Sequence, residues 1–153
     1  MAKPLIYKTV TFEFAAHHRL ISNTLNHDEN FKIFSKCMGN FGHGHNYKLK
    51  VTFRYSYDQE DPFLVSRLSE QIKEIIIDPC HYQSLNEVFA ARGIKNPVTT
   101  GEQIVHVFAD WIRTETVAEF IDEMELIETR KNSFFYKFPA HHNLYRKQPT
   151  QNP

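Results

Sequence analysis

The chain has 153 residues, 41% of them hydrophobic and 24% charged, which is typical of one ordinary globular domain. Eighteen basic residues balance eighteen acidic ones, which argues against a nucleic-acid partner. No stretch reaches the ~18 consecutive apolar residues of a membrane span, and residues 1–4 lack the apolar run of a signal peptide. We therefore expect a cytoplasmic protein without a membrane partner, and its two cysteines are too few for a disulfide framework.

Two segments in the first third of the chain alternate apolar and polar residues with the period of a β-strand. In residues 5–18 the alternation places His18 on the apolar face of the predicted strand. In residues 43–57 the apolar face extends to His43 and His45 at the start of the strand. All three imidazoles are therefore predicted at strand ends and on apolar faces.

The connection between these strands, residues 20–41, is polar and irregular, with a helical turn predicted over residues 28–34. A loop of this length in a small domain is commonly functional or disordered. Residues 64–77 have helical spacing. We expect that helix to end at Asp78, because proline disfavours helix in the residue before it and Pro79 follows.

A loop rich in Asn, Gly and Pro is predicted over residues 80–100. A second amphipathic helix is expected from residue 102 to about residue 113, and strands over residues 124–129 and 134–138. This order predicts an α+β domain, a four-stranded antiparallel sheet with two helices packed on one face. The second face needs a cover, for which a partner subunit is the natural candidate.

We place the domain at residues 1–138 and a polar C-terminal tail at residues 139–153.

The His-x-His pair gives the first chemical signal. Side chains two apart on a strand share a face, so His43 and His45 can reach one ion, and Gly44 between them leaves room. If the strand ending at His18 pairs beside them, three imidazoles converge on one point. Three nitrogen ligands with an open fourth position are typical of a catalytic zinc site. Surface or hydrogen-bonded histidines remain the alternative.

Three further side chains could carry chemistry. Cys37 could act as a thiolate base if its loop folds back, although an idle thiol is the simpler interpretation. Glu102 opens a helix, and a capping role alone explains it. Glu128 lies in a predicted strand on the side with apolar neighbours, where a carboxylate is costly unless paired. It could bind a ligand with several nitrogen donors, or a salt bridge to Arg or Lys.

At these residues the sequence resembles the 6-pyruvoyl-tetrahydropterin synthase family, which includes 6-carboxytetrahydropterin synthase. The resemblance spans nearly the whole chain up to Tyr136, and its histidine and cysteine segments together are specific. The spacing from His18 to Cys37 is similar to that of the 6-pyruvoyl branch. The matching stretches are residues 14–20, 29–37, 42–48, 100–102 and 128–129.

The resemblance implies a tunnelling fold in which trimers close their sheets into a barrel and two trimers stack into a homohexamer. It implies that His18, His43 and His45 hold zinc, which binds the side-chain hydroxyls of a dihydroneopterin triphosphate. The reaction class would be triphosphate elimination with internal proton shifts, or loss of acetaldehyde in the 6-carboxy relatives.

The same resemblance implies roles for the remaining side chains. Cys37 would be the proton-abstracting base, and Glu128 would anchor the amino-pyrimidine edge of the pterin. Thr100 and Glu102 would lie close to the bound ring.

One departure from the family pattern concerns its Asp-His pair, which normally assists proton transfer. Aligned on Leu85 and Asn86, this sequence has His81 in the place of the aspartate and Tyr82 in the place of the histidine. Either His81 takes over the role of the histidine, or Tyr82 donates the proton. Otherwise the chain binds pterin without the parent activity, or acts on a different reduced pterin.

Overall fold

The computed structural model describes residues 3–39 and 42–139, so the predicted tail lies outside the described residues from residue 140 onward. Four strands form one antiparallel sheet in the order of the sequence. These strands are β1 (Leu5–His18), β2 (His43–Ser56), β3 (Ile121–Ile127) and β4 (Ser133–Lys137). The predicted strands are therefore confirmed, with boundaries that differ by up to three residues.

Helices fill the connections between β1 and β2 and between β2 and β3. They are α1 (His27–Phe34), α2 (Leu64–Ile72), α3 (Asp78–Cys80), α4 (Leu85–Ala91) and α5 (Gly101–Arg113). A π-helical turn over Lys73–Ile77 joins α2 to α3, and 3₁₀ turns cover Ser35–Met38 and Thr116–Phe120. The two predicted long helices are confirmed.

The core lies between the sheet and the helices. Apolar side chains of β2 that alternate along the strand are fully buried and meet α5 and the α2 helix. The buried sheet residues of β2 and β3 are Tyr47, Leu49, Val51, Phe53, Ile121, Met124 and Leu126, and the buried helix residues include Leu68, Ile72, Ile104, Phe108 and Ile112. This burial supplies the main stabilisation of the fold.

Two predictions for the segment after α2 are wrong. The helical run that begins with α2 does not end at Asp78 but continues through the π-helical turn into α3, where Pro79 occupies one of the first positions and its missing N–H has little cost. The stretch predicted as a loop over residues 80–100 contains α4. Its N-cap is Ser84, whose side chain accepts a hydrogen bond from the backbone of Glu87.

The ladder between β1 and β2 is the longest pairing of the sheet and runs without a register shift from Leu5 opposite Ser56 to His18 opposite His43. Opposite residues of an antiparallel pair project to the same face. The ladder therefore sets the side on which each histidine at its end projects.

Apart from the buried Ser56 at the end of β2, the second face of the sheet carries side chains that are exposed or half-buried among the described residues. Glu13 pairs with Lys48 at 3.5 Å, and Tyr7 and Phe135 lie more than half exposed. The predicted cover of this face by a partner subunit stays a prediction. Among the described residues, no helix has the length and apolar character needed to cross a membrane.

Candidate metal centre

Three histidines meet at the end of the β1–β2 ladder. His18 lies directly opposite His43, and His45 lies opposite Ala16, so all three rings project to the helix side of the sheet. One ring nitrogen from each lies within 4.8 Å of the other two, and the Nε2 atoms of His18 and His43 are 3.1 Å apart. The convergence expected from strand phase is therefore present, and the cluster could hold a metal ion.

The ring of His18 is oriented by a hydrogen bond on the side away from the cluster. Its Nδ1 lies 2.7 Å from the carbonyl oxygen of Thr99, and because a carbonyl only accepts, Nδ1 carries the proton. This tautomer leaves Nε2 unprotonated and directed at the cluster, as metal-binding histidines require. Burial lowers the pKa of His18 from 6.5 to about 4, so the ring is neutral at physiological pH.

The backbone next to His18 is held by a single side chain from α4. The amide of Asn86 accepts a hydrogen bond from the Arg19 N–H at 2.9 Å and donates to the Arg19 carbonyl at 3.0 Å. It also accepts from the hydroxyl of Thr99 at 3.2 Å. Asn86 therefore joins the end of β1 to the loop that carries the carbonyl partner of His18.

Gly42 precedes the first histidine of β2 and has a φ of +66°. A Cβ at this position would collide with the backbone carbonyl of His18, in addition to the cost of the left-handed conformation. Only glycine lets the two strand ends approach closely enough for His18 and His43 to meet.

Glu128 follows the last residue of β3, and its carboxylate lies at the edge of the cluster. Its Oε1 is 3.6 Å from Nε2 of His18 and 3.7 Å from Nε2 of His45, and the side chain is only 13% exposed. Among the described residues it has no Lys or Arg partner, so the salt-bridge alternative is not realised there. Burial raises the pKa of Glu128, the charge of His45 lowers it, and the charge of Glu102 raises it.

Tyr47 lies beneath the cluster with its ring stacked on Phe14 at 5.1 Å and an edge contact to His45 at 5.5 Å. Its hydroxyl is buried and has no hydrogen-bond partner among the described residues. Burial and, secondarily, the charge of Glu128 raise the pKa of Tyr47, so the phenol stays protonated. A neutral hydrogen-bond donor is thus available below the cluster.

The other two predicted binding residues lie at the start of α5. Thr100 is the N-cap, and its hydroxyl accepts a hydrogen bond from the backbone of Gln103. Glu102 is exposed in the first turn, where a carboxylate stabilises the helix dipole. Its charge contributes, after burial, to the raised pKa of Glu128.

Cys37 lies in the 3₁₀ turn after α1, and this turn is bonded to the end of β1. The Leu20 N–H donates to the Cys37 carbonyl at 3.1 Å, and Nε of Arg19 donates to the Met38 carbonyl at 3.1 Å. The long loop thus folds back, as the base hypothesis requires. Its turn is hydrogen-bonded to Leu20, which follows His18 by two residues in the sequence. Cys37 itself is half-buried.

Comparison with known proteins agrees with this geometry. The profile of the family described as 6-pyruvoyl tetrahydropterin synthase matches residues 7–139. The chain belongs to this family. It is 32% identical over 143 residues to the 6-pyruvoyl tetrahydrobiopterin synthase of Drosophila melanogaster, a match that covers 90% of this chain and 82% of that protein.

Two further relatives support the assignment. The 6-pyruvoyl tetrahydrobiopterin synthase of Dictyostelium discoideum is 32% identical over 127 residues, which cover 81% of this chain and 90% of that protein. The solved structure of 6-pyruvoyl tetrahydropterin synthase from Caenorhabditis elegans superposes with a TM-score of 0.76 at 28% identity. That superposition covers 90% of this chain and 99% of the other, which confirms the predicted α+β fold.

His81 and Tyr82, the predicted proton-relay residues, lie along the outer edge of β1. The Ala15 N–H donates to Nδ1 of His81 at 3.1 Å, and the Tyr82 N–H donates to the Ala15 carbonyl at 2.7 Å. They border a cavity of about 590 Å³ that is also lined by Glu13 and Lys48, on the sheet face opposite the histidine cluster, and by Phe14 and Tyr47, on the same face as the cluster. Their part in a proton relay therefore stays a prediction.

Tyr82 itself is unusual in conformation. Its φ is +57°, its side chain is 79% exposed, and its ring lies 3.8 Å from that of His81. A bulky residue in the left-handed region costs about 1 kcal/mol or more, and such strain is concentrated at functional sites. The pair is held in place by the backbone of β1, with Tyr82 open to solvent.

The two cysteines should differ sharply in reactivity. Cys80 is completely buried, and burial raises the pKa of its thiol to about 12, whereas Cys37 is half-buried. Because the thiolate is the reactive form, we expect one thiol of the native protein to react with a chromogenic disulfide and two after unfolding in urea. Peptide mapping should place the native label on Cys37; a label on Cys80 would contradict the burial described here.

Proposed function

We propose that this chain is a zinc-dependent lyase that acts on the side chain of dihydroneopterin triphosphate, by the elimination reaction of 6-pyruvoyl-tetrahydropterin synthases. The observation that carries the proposal is the three-histidine cluster beside Glu128, in a chain of this family. Related 6-carboxytetrahydropterin formation belongs to the same proposal, because the resemblance covers both branches of the family.

His18, His43 and His45 would hold the ion. The donor set fits zinc, since one imidazole nitrogen from each of the three histidines faces one point and the Nδ1–H of His18 donates to the Thr99 carbonyl. The nearly buried carboxylate of Glu128 also lacks a Lys or Arg partner among the described residues, and a divalent cation would supply the missing charge. When bound, zinc would polarise a side-chain oxygen and acidify the adjacent C–H.

The chain's own side chains would perform the proton transfer and the recognition. Cys37, as the thiolate, would accept the proton from the side-chain carbon. Glu128 would accept hydrogen bonds from the amino-pyrimidine edge, which presents adjacent N–H donors to a carboxylate. Thr100 and Glu102 would border the ring from the start of α5. His81 or Tyr82 would return a proton.

We further propose a cytoplasmic homohexamer, a dimer of trimers that closes the sheets into a barrel. The mostly polar second face, with Tyr7 and Phe135 exposed, supports an arrangement in which neighbouring sheets meet edge to edge. Sedimentation analysis tests it: a species of about 18.1 kDa, the mass of one chain, would contradict it.

The replaced Asp-His pair favours a second candidate, a pterin-binding homologue that has lost or changed the parent reaction. His81 accepts the Ala15 N–H through Nδ1, so only Nε2 is free for proton transfer. Tyr82 offers a phenol, a weaker acid than imidazolium at neutral pH.

Incubation of the purified zinc-loaded protein with dihydroneopterin triphosphate, followed by mass identification of the products, separates the candidates. Release of triphosphate together with a 6-pyruvoyl product supports the first. Retained pterin binding without turnover contradicts it and supports the second, and a different product indicates changed specificity. Metal-stripped protein is the control.

A matched double variant, His81→Asp with Tyr82→His, tests the relay in the same assay. If these residues serve the reaction less well than an Asp-His pair, turnover should rise by about 10²-fold, within the range of general acid–base catalysis. Unchanged turnover with unchanged pterin binding would contradict the expectation that this pair transfers the proton less well than an Asp-His pair.

A further inference from the structure

Glu128 is close to the histidine cluster, yet it is not hydrogen-bonded to it. The contacts from its Oε1 to Nε2 of His18 and of His45 measure 3.6 and 3.7 Å, longer than a hydrogen bond. The side chain is nearly buried, and among the described residues no Lys or Arg approaches it within ion-pair distance. An ionised carboxylate in this position is costly without a cation beside it, and no Lys or Arg among the described residues supplies one.

The separations between the donor atoms suggest where that cation would sit. Around a tetrahedral zinc ion with bonds of about 2.0–2.1 Å, ligand atoms lie about 3.3–3.4 Å apart. The Nε2 atoms of His18 and His43 are 3.1 Å apart, and the carboxylate contacts of Glu128 are 3.6 and 3.7 Å. These three separations bracket the value expected for ligands of one ion, so small side-chain rotations would bring Glu128 into the set.

We infer that Glu128 is the fourth ligand of the metal while no substrate is bound. This inference rests on the metal site proposed above and adds to it a second role for the residue that would anchor the pterin. Glu128 faces two competing partners, the ion and the amino-pyrimidine edge. When it turns to the pterin, the fourth position becomes free for the oxygen of the substrate side chain.

This exchange would couple recognition to activation. A carboxylate in the fourth coordination position keeps water and small anions from binding the metal. A molecule with the nitrogen donors of a pterin would compete for Glu128 and so open that position. Specificity would then arise at the metal as well as at the ring, because a ligand that lacks the amino-pyrimidine edge would have to displace a charged ligand.

Cobalt(II) absorption provides a readout that does not depend on turnover. The proteins to compare are the wild type, Glu128→Gln, and Glu125→Gln as the matched control. Glu125 lies on β3, the strand that ends just before Glu128, but it is opposite Lys50 and on the other face of the sheet. We expect the visible spectrum of the cobalt protein to change in Glu128→Gln alone and its cobalt affinity to fall about 10-fold or more, as for lost metal-site carboxylates.

Azide titration sharpens the test, because azide must displace Glu128 in the wild type and finds an open position in Glu128→Gln. We expect azide to bind the variant at least 10-fold more tightly, while 7,8-dihydropterin shifts the wild-type spectrum towards that of the variant. Identical spectra and azide affinities in the wild type and Glu128→Gln would overturn the inference and leave the metal site intact. Failure of the wild type to bind cobalt would overturn both. Circular dichroism of each variant verifies folding.

Discussion

His45→Ala is expected to lose the metal while keeping the fold. His45 contributes one of the three converging nitrogens, but its side chain is about one-fifth exposed, so its removal leaves no deep cavity. Loss of an outer-shell partner of a metal site already costs about 10–100-fold in affinity, so loss of a ligand should cost more than about 100-fold. Competition against a chromogenic chelator measures the affinity, and elemental analysis measures the metal content of the purified protein.

His106→Ala is the matched control for this variant. His106 is exposed on α5, where its Nε2 lies 3.3 Å from a carboxylate oxygen of Asp110 one helical turn away. Its loss should leave metal content and affinity unchanged. Wild-type metal content in His45→Ala would refute the three-histidine site. His18→Ala is less informative, because His18 is fully buried and bonded to Thr99, so its loss would also disturb the loop before α5.

Cys37→Ala is expected to lower turnover by about 10²–10⁴-fold, the contribution of a positioned general base. Metal affinity and pterin binding should stay at wild-type values, because the turn that carries Cys37 is held by its backbone carbonyls and not by its thiol. The measurements are product formation by mass, equilibrium binding of dihydroneopterin, and metal content on the same preparations.

Cys80→Ala provides the comparison. This substitution removes a sulfur atom from the core, so it should lower the free energy of unfolding by about 1 kcal/mol without a change in turnover per folded molecule. If Cys37→Ala retains full turnover, the base lies elsewhere in the site. Retained turnover in Cys37→Ala, with retained sensitivity to thiol reagents, would point to Cys80 and contradict its burial.

The sequence predicted the histidine cluster because strand phase is a local property. Each of His18, His43 and His45 continues an alternation of apolar residues, and the burial of one sheet face fixes the register that brings them together. Glu128 was placed on the correct side by the same argument, although β3 ends one residue before it.

The parts that sequence reasoning missed depend on backbone groups and on short helices. The Thr99 carbonyl that orients His18 has no side-chain signature, so only the folded loop reveals it. The helix α4 has seven residues between glycine- and proline-containing stretches, too few for a clear period. The sequence signal for this helix is the Ser84-x-x-Glu87 pattern of a capping box. The hydrogen bonds between the Asn86 side chain and the Arg19 backbone depend on the same helix.

The uninterrupted ladder of β1 and β2 ends in the histidine cluster, so the register of the two strands determines whether the three histidines meet. Inserting or deleting a single residue immediately before His18 would leave the apolar positions that precede it paired with β2 as they are. It would turn His18 to the opposite side from His43 and His45. A metal ion bound at this corner would therefore stabilise the one alignment of these two long strands that brings the three histidines together.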